Sequence, residues 1–242
     1  MGNIFNTILI HPLLNLLVYA YHYIPDIGVV IILITVLVRL ILLPSFHKSM
    51  KHQRALQALG PKMQEIKEKY KDDQQRQATA MMELYKVHKV NPLSSCLPII
   101  IQLPILISLY RVFIQSLNGQ ALQGLYKFVP YPEHINSMFL GFVDLAAKNN
   151  YWMAGIAAIL QFVQTKSFQK SSAQTANANA GDPTTKFMSN YLLYFLPAMT
   201  FFIGVKFPAG MSLYWITTTL FAIAQQYYIL RKETKEVLYG DK

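Results

Sequence analysis

The residue best placed to act on another molecule is Arg39, because it interrupts a long apolar run. That run reads Thr35-Val36-Leu37-Val38-Arg39-Leu40-Ile41-Leu42-Leu43-Pro44. An Arg at the middle of a membrane-spanning helix costs roughly 2.5 to 3.5 kcal/mol on insertion scales, so it usually faces a bundle interior and marks function. A second reading stays open: Pro44 follows within about one and a half turns, so the guanidinium could snorkel to a water boundary. None of the twelve Asp and Glu residues falls within a predicted span, apart from Asp26 at the edge of the first. Water, lipid phosphate or a visiting carboxylate must therefore solvate the cation. A hydrated cavity open on one side and holding one positive charge would meet that need. It would also attract acidic segments of another protein.

Other polar residues share helical faces with this position or with each other. Thr35 sits four residues before Arg39 and on the same face. Tyr214, Thr218 and Gln225 recur at i, i+4 and i+11, while Gln102, Gln161 and Gln164 add amides to two further apolar segments. Such groups can line a cavity or bond neighbouring helices. Arg111 is a second cation in apolar surroundings; a structural role, snorkelling to an interface, is the favoured reading. Signals for catalysis are missing: H-E-x-x-H, G-x-S-x-G, G-x-x-x-x-G-K and G-x-G-x-x-G do not occur. None of the six histidines lies well inside a predicted span. A single cysteine, Cys96, leaves no internal disulfide and no multi-cysteine metal site. The expectation is a protein that is not an enzyme and uses no cofactor or metal.

The elements that position these residues are five segments able to cross about 30 Å of hydrocarbon. They fall at residues 26–46, 93–115, 150–168, 191–206 and within 207–230, with a tight turn opening the last. Backbone groups in lipid must be satisfied within the segment, which makes these helices. Residues 1–25 differ. Asn6, Thr7, His11, Asn15, Tyr19 and His22 recur at helical spacing opposite Ile4, Ile8, Leu9, Leu13, Leu16, Leu17 and Ala20. That pattern predicts an amphipathic helix along an interface, with a sixth, weakly apolar span as the alternative.

Residues 47–92 read as a helical hairpin. Pro61 opens one arm with Met63, Ile66 and Tyr70 in a stripe; Lys71-Asp72-Asp73 turns the chain; Met81, Tyr85 and His88 line the second arm. Its Met and Tyr residues can pack arm to arm, and its basic surface can touch anionic lipid or a ribosome. The 169–190 segment contains a small, polar, low-complexity stretch, Ser171 to Thr185, that predicts a flexible linker; residues 231–242 form a short tail. The 47–90 loop carries ten basic residues, whereas the loops on the opposite side hold Lys127, Lys148 and Lys206. The positive-inside rule then places hairpin, linker and tail in the cytoplasm and the N-terminus outside. The fold class expected is an all-α polytopic membrane protein: a five-helix transmembrane bundle with an N-terminal interfacial amphipathic helix and a cytoplasmic helical hairpin.

Composition agrees. Apolar residues make up 53% of the chain, more than a soluble fold of this size requires, so the net charge of +10 reports topology rather than DNA binding. A transit signature rich in Arg and Ser is absent from the start, and Asn6 stands where myristoylation needs Ser or Thr. Two readings from different classes fit such a cavity. A small transporter could hold a buried Arg for an anionic solute, though no internal repeat is visible. A lipid scramblase could use the same groove for head groups.

Several motifs together resemble one family. Asn91-Pro92-Leu93-Ser94-Ser95-Cys96-Leu97-Pro98, followed by Ile101-Gln102-Leu103-Pro104, is similar to the N-P-x-x-x-C-x-P and Q-x-P run of the YidC/Oxa-type membrane protein insertases. Phe207-Pro208-Ala209-Gly210-Met211-Ser212-Leu213-Tyr214-Trp215 resembles that family's F-P-[AS]-G-x-x-L-Y-[WY] turn, and Gln225-Gln226 its paired glutamines. Pro92, Pro98, Pro104, Pro208 and Gly210 are the structural members of these motifs. The resemblance implies insertion and folding of small membrane proteins without ATP, through a hydrophilic groove open to cytoplasm and lipid. Arg39 would be the groove's electrostatic attractor, joined by Thr35, Gln102, Gln161, Thr218 and Gln225; Tyr214 and Trp215 would belong to an apolar slide for the departing client helix. Nascent integral membrane proteins are the implied clients. The Sec translocon, the ribosome or signal recognition machinery at the hairpin, and anionic lipids are the further partners it suggests. The implied location is the bacterial cytoplasmic membrane. With no large outer domain before the core, the expected type is the short bacterial form, from which the chain departs in having no lipoprotein cysteine near the start; the short tail argues against direct ribosome docking.

Overall fold

The computed structural model describes residues 6–91, 102–111, 124–130, 135–173 and 183–239. The fold is mostly helical. A π-helical turn at Asn6–Ile10 runs into α1 (His11–Tyr23), followed by α2 (Ile27–Ile41), α3 (Leu43–Ala58), α4 (Gly60–Lys69) and α5 (Gln74–Val87). Helical residues 102–111 form α6. A small antiparallel hairpin, β1 (Met138–Phe139) and β2 (Val143–Asp144), precedes α7 (Tyr151–Ala173), α8 (Pro183–Lys206) and α9 (Ala209–Tyr239). The expected motif positions Pro92, Cys96 and Pro98 lie outside the described residues. So does 174–182 of the expected linker, whose residues 171–173 end α7 and 183–185 begin α8.

Two compact units result. The first joins Met1–Ile41, Ile100–Gln161 and Pro197–Ala224. Its core combines Leu14, Leu17 and Tyr21 of α1 with Ile27, Val30, Ile31 and Ile34 of α2. Leu109, Leu145, Met153, Ala209, Leu213 and Tyr214 complete it. On α1 the outcome differs from the amphipathic expectation at two positions. Asn15, placed by sequence on the polar face, is buried, and Leu16, placed on the apolar face, is 38% exposed. The Asn15 amide is held by the chain that crosses it: Nδ2 donates to the carbonyls of His11 and Gly124, and Oδ1 accepts from the Tyr126 N–H at 2.7 Å. A buried polar side chain is tolerated when its donors and acceptor are all used. Arg111, on α6, donates to the Asn6 side chain at 3.3 Å.

The start of α2 is fixed by Asp26. Its Oδ1 accepts from the N–H groups of Gly28 and Val29, satisfying two donors that a helix end leaves open. The other oxygen accepts from Leu140 N–H in the β-hairpin at 2.8 Å. Asp26→Ala should therefore lower stability by about 1–2 kcal/mol, the upper range for a lost cap, read as a lower melting temperature in detergent.

At the end of α2 the helix breaks at Leu42, just before Pro44. Proline has no N–H to donate to Leu40 and its ring crowds that carbonyl. Among the described residues no single helix is long and apolar enough to cross a membrane; the bent pair Ile27–Ile41 and Leu43–His52 passes by length and composition together. The fifteen residues of α2 rise only about 22 Å at 1.5 Å per residue.

Helix ends gather around the 137–150 segment of the first unit. Leu145 N–H bonds Ser137, Asn149 N–H bonds the Val205 carbonyl at the end of α8, and Asn150 Oδ1 caps α7 through Met153 N–H. The Phe207-Pro208-Ala209-Gly210 turn is clamped by the same segment. Ala209 N–H bonds the Ala147 carbonyl and Gly210 N–H the Leu145 carbonyl, both at 2.9 Å. Pro208 and Ala209 are buried there, so the motif reads as a packing requirement at the start of α9. Gly204 makes a further close approach: a Cβ there would lie 3.0 Å from Ala154 Cβ and 3.0 Å from Ser212 Oγ. Small residues at such crossings let helices pack tightly.

The second unit comprises Leu42–Ile99, Phe162–Leu196 and Gln225–Lys242. Within it α4 and α5 lie antiparallel. Tyr85 hydroxyl reaches Met63 Sδ at 3.9 Å, Lys62 Nζ lies 3.3 Å from His88 Nε2, and Gln77 Nε2 donates to the Lys67 carbonyl. Pro61 stands in the first turn of α4 and Asp73 caps α5 through Arg76 N–H. Neither helix has a buried residue, so this hairpin is held by surface packing and capping rather than by a core of its own.

Candidate functional site

Arg39 projects from the last turn of α2 and is half-buried. Its Nε donates to Thr218 Oγ1 of α9 at 2.7 Å, and a terminal N–H of the guanidinium converges on the same oxygen. Thr218 is buried, as is Tyr214 one turn earlier, whose phenol lies within electrostatic reach of Arg39 and of the Thr218 hydroxyl. The i, i+4 spacing of Tyr214 and Thr218 puts both on the face of α9 that meets α2. Arg39 and two residues one turn apart on a helix remote in sequence thus form one polar cluster in an apolar unit, with a cation at its centre. Charge-assisted bonds of this kind are worth about 1.5–3 kcal/mol when partly buried. Thr218→Val keeps the shape of the side chain and removes the shared acceptor. It should cost stability in that range, read by thermal unfolding in detergent, while Thr217→Val, whose hydroxyl bonds Leu213 of its own helix, should cost less than 1 kcal/mol.

The remaining candidates are placed differently. Thr35 is buried, but its hydroxyl donates to the Ile31 carbonyl at 2.6 Å and so closes on its own helix. It borders a small cleft with Leu13, Leu17, Ile31, Ile34, Ile105, Ser108 and Leu109 that has room for about one water (10 Å³). Gln102 lies on α6 and Gln161 within α7, both half-buried; Trp215 is half-buried beside Tyr214. Gln225, in the second unit, is buried, and its side-chain N–H₂ group and that of Gln226 have no hydrogen-bond partner among the described residues. Pro104 is buried within α6 and its carbonyl accepts from Ser108. The described residues contain no group of three or more His, Cys, Asp and Glu that could hold a metal ion. Asp26 and Asn15 escape sequence reasoning as organisers, because the backbone they bind at Leu140 and at Gly124 and Tyr126 is remote along the chain.

The comparisons with known proteins cover almost the whole chain. The model of the family described as 60Kd inner membrane protein matches residues 19–236. The chain is 34% identical over 224 residues to "Membrane protein insertase YidC" of Geobacter sulfurreducens, covering 91% of this chain and 36% of the relative. It is 35% identical over 219 residues to the protein of that name from Citrifermentans bemidjiense, with 90% and 36% covered. Against the solved structure "Active YidC insertase crystal structure with the first transmembrane domain resolved", the TM-score is 0.60 at 28% identity, covering 92% of this chain and 46% of that one. The chain spans little more than a third of the length of these curated relatives. On the family match and these relatives, the chain belongs to the 60Kd inner membrane protein family, the family of the YidC insertases.

Proposed function

We propose that this chain is a membrane protein insertase that places and helps fold small integral membrane proteins without ATP hydrolysis. The observation that carries the proposal is the Arg39–Thr218–Tyr214 cluster, a cation held by a hydroxyl within an apolar helical unit. It occurs in a chain about a third identical, over nine-tenths of its length, to proteins named insertase. In this reading α2, α6, α7, α8 and α9 contribute five spans, α1 lies at the outer interface, and α4 with α5 is cytoplasmic. The excess of basic residues in the 47–90 loop supports that orientation. Arg39 attracts an acidic client segment into a hydrated groove that Thr35, Gln102, Gln161 and Thr218 of the first unit border. The client's apolar helix then leaves along Tyr214 and Trp215 into lipid. Moving a polar segment through a hydrated half-membrane costs less than crossing about 30 Å of hydrocarbon, and burial of the apolar helix in lipid drives the step. Nascent membrane proteins are the partners this requires; the Sec translocon is a further candidate, and anionic lipid and the ribosome or signal recognition machinery are candidates at the basic hairpin.

Purified protein in liposomes tests the reading with a single-spanning client bearing an acidic tail. Protease protection of the tail above that in empty liposomes supports insertion. Protection equal to empty liposomes, with flux of an anionic solute or lipid flip in its place, would replace insertion with transport or scrambling.

A further inference from the structure

The turn that joins β1 and β2 is built from residues that ordinarily avoid such a position. Phe142 N–H bonds the Phe139 carbonyl at 3.0 Å, and the two residues between them, Leu140 and Gly141, have φ of 50° and 75°. Positive φ at both central positions is the pattern of a type I′ turn, where Asn-Gly is strongly preferred. A leucine there carries a steric cost that asparagine would largely avoid. The conformation is held from outside the hairpin, by the Asp26 carboxylate on Leu140 N–H and by Phe139 packed on Gly28. The result is an apolar tip: Phe142 is 88% exposed and Leu140 59%. Strain retained in order to display two large apolar side chains calls for an apolar phase to receive them.

We propose that this tip is a lipid anchor, with Leu140 and Phe142 seated in the interfacial layer of a phospholipid membrane. Position argues for lipid as the occupant. The segment carrying the hairpin bonds the start of α2, the end of α8 and the start of α9, and leads directly into α7. Helix ends gathered on one side of an apolar unit mark the water–lipid boundary when that unit is embedded. The same segment carries an interfacial signature: Tyr151 and Trp152, 62% and 54% exposed, open α7 behind exposed Lys148. Exposed Trp and Tyr settle at the headgroup level, and a nearby Lys meets lipid phosphate. The anchor rests on the membrane placement of α2, and not on insertase activity. Its consequence is a fixed depth for the first turn of α2, because Asp26 ties that turn to the hairpin.

Spin labels test it in full-length protein reconstituted in phosphatidylethanolamine–phosphatidylglycerol vesicles. Cys96→Ser supplies a cysteine-free background, and single labels are placed by Phe142→Cys, Lys148→Cys and Leu33→Cys, the last at a half-exposed apolar position on α2. Because Phe142 is almost fully exposed, its replacement removes little packing. The anchor predicts that the label at 142, like that at 33, collides several-fold more often with oxygen than with a water-soluble nickel chelate, relative to the label at 148. Collision with the chelate as frequent at 142 as at 148, with 33 still in lipid, overturns the anchor alone. A label at 142 shielded from both reagents means that a protein surface covers the tip, and overturns it too. Chelate access at 33 as well removes the membrane placement of α2 and the anchor with it.

Discussion

Arg39→Ala is expected to slow insertion of a client with an acidic tail by about tenfold to a hundredfold, the equivalent of the 1.5–3 kcal/mol that a hydrogen bond to a charged group contributes. Arg39→Lys retains the cation but presents a compact ammonium in place of the planar fork that spans Thr218. It should therefore remain within a few-fold of the parent. Protease protection of the client tail, measured as an initial rate, separates the two. Both variants should stay folded, since alanine also removes the cost of holding a charge in apolar surroundings. A melting temperature for Arg39→Ala near that of the parent would show that the rate reports client handling and not loss of the fold. If alanine inserted the client as fast as the parent, Arg39 would be a snorkelling residue with no part in attraction.

The second large effect concerns Gly28. Alanine is ordinarily better than glycine within a helix by about 0.5–1 kcal/mol. Here a Cβ would lie 2.8 Å from Phe139 Cβ, with two ring carbons of Phe139 nearer still. Overpacking costs about 1–3 kcal/mol, so the clash outweighs the gain in propensity. Gly28→Ala should lower stability, and Gly28→Val, with two further methyl groups directed at the same ring, should lower it by more than 3 kcal/mol. Thermal unfolding in detergent checks the order. The paired change Gly28→Ala with Phe139→Ala should recover part of the loss, because it removes the atoms that collide. Gly155, where an added Cβ meets nothing within 4 Å, gives the control: Gly155→Ala should be neutral or stabilising.

How legible these features are in the sequence depends on how far apart the interacting residues lie. Arg39 stands out because one charge interrupts an apolar run, and Tyr214 with Thr218 because they share a helical period. The helix starts at α4 and α5 are visible through Pro61 and Asp73, whose effects on the backbone are local. What joins remote segments is not visible. Nothing in the composition of α1 indicates that Asn15 turns inward; that follows from the unpaired backbone groups of Gly124 and Tyr126, over a hundred residues later. The β-hairpin escapes for a related reason. Its turn is Leu-Gly and not Asn-Gly, and the conformation is imposed by Asp26 from another element. Thr35 shares a helical face with Arg39, as its spacing indicates, while its hydroxyl bonds the carbonyl one turn back on its own helix, a contact that spacing alone does not reveal. The helices also run past the apolar windows that reveal them. α7 extends to Ala173, and α8 begins at Pro183, well before the apolar stretch near Leu192. Backbone hydrogen bonding continues into polar sequence wherever no proline or glycine stops it.

In the proposed function the half-buried cation held by Thr218 draws an acidic client segment into the protein. The most direct measurement is the initial insertion rate of two clients, identical except for an acidic or a neutral tail, with the parent and with Arg39→Ala in liposomes. Attraction predicts that the parent favours the acidic tail about tenfold or more and that Arg39→Ala abolishes this preference, a coupling of at least ~1.4 kcal/mol between the two charges. The same tail preference in both proteins, whatever their absolute rates, would contradict it.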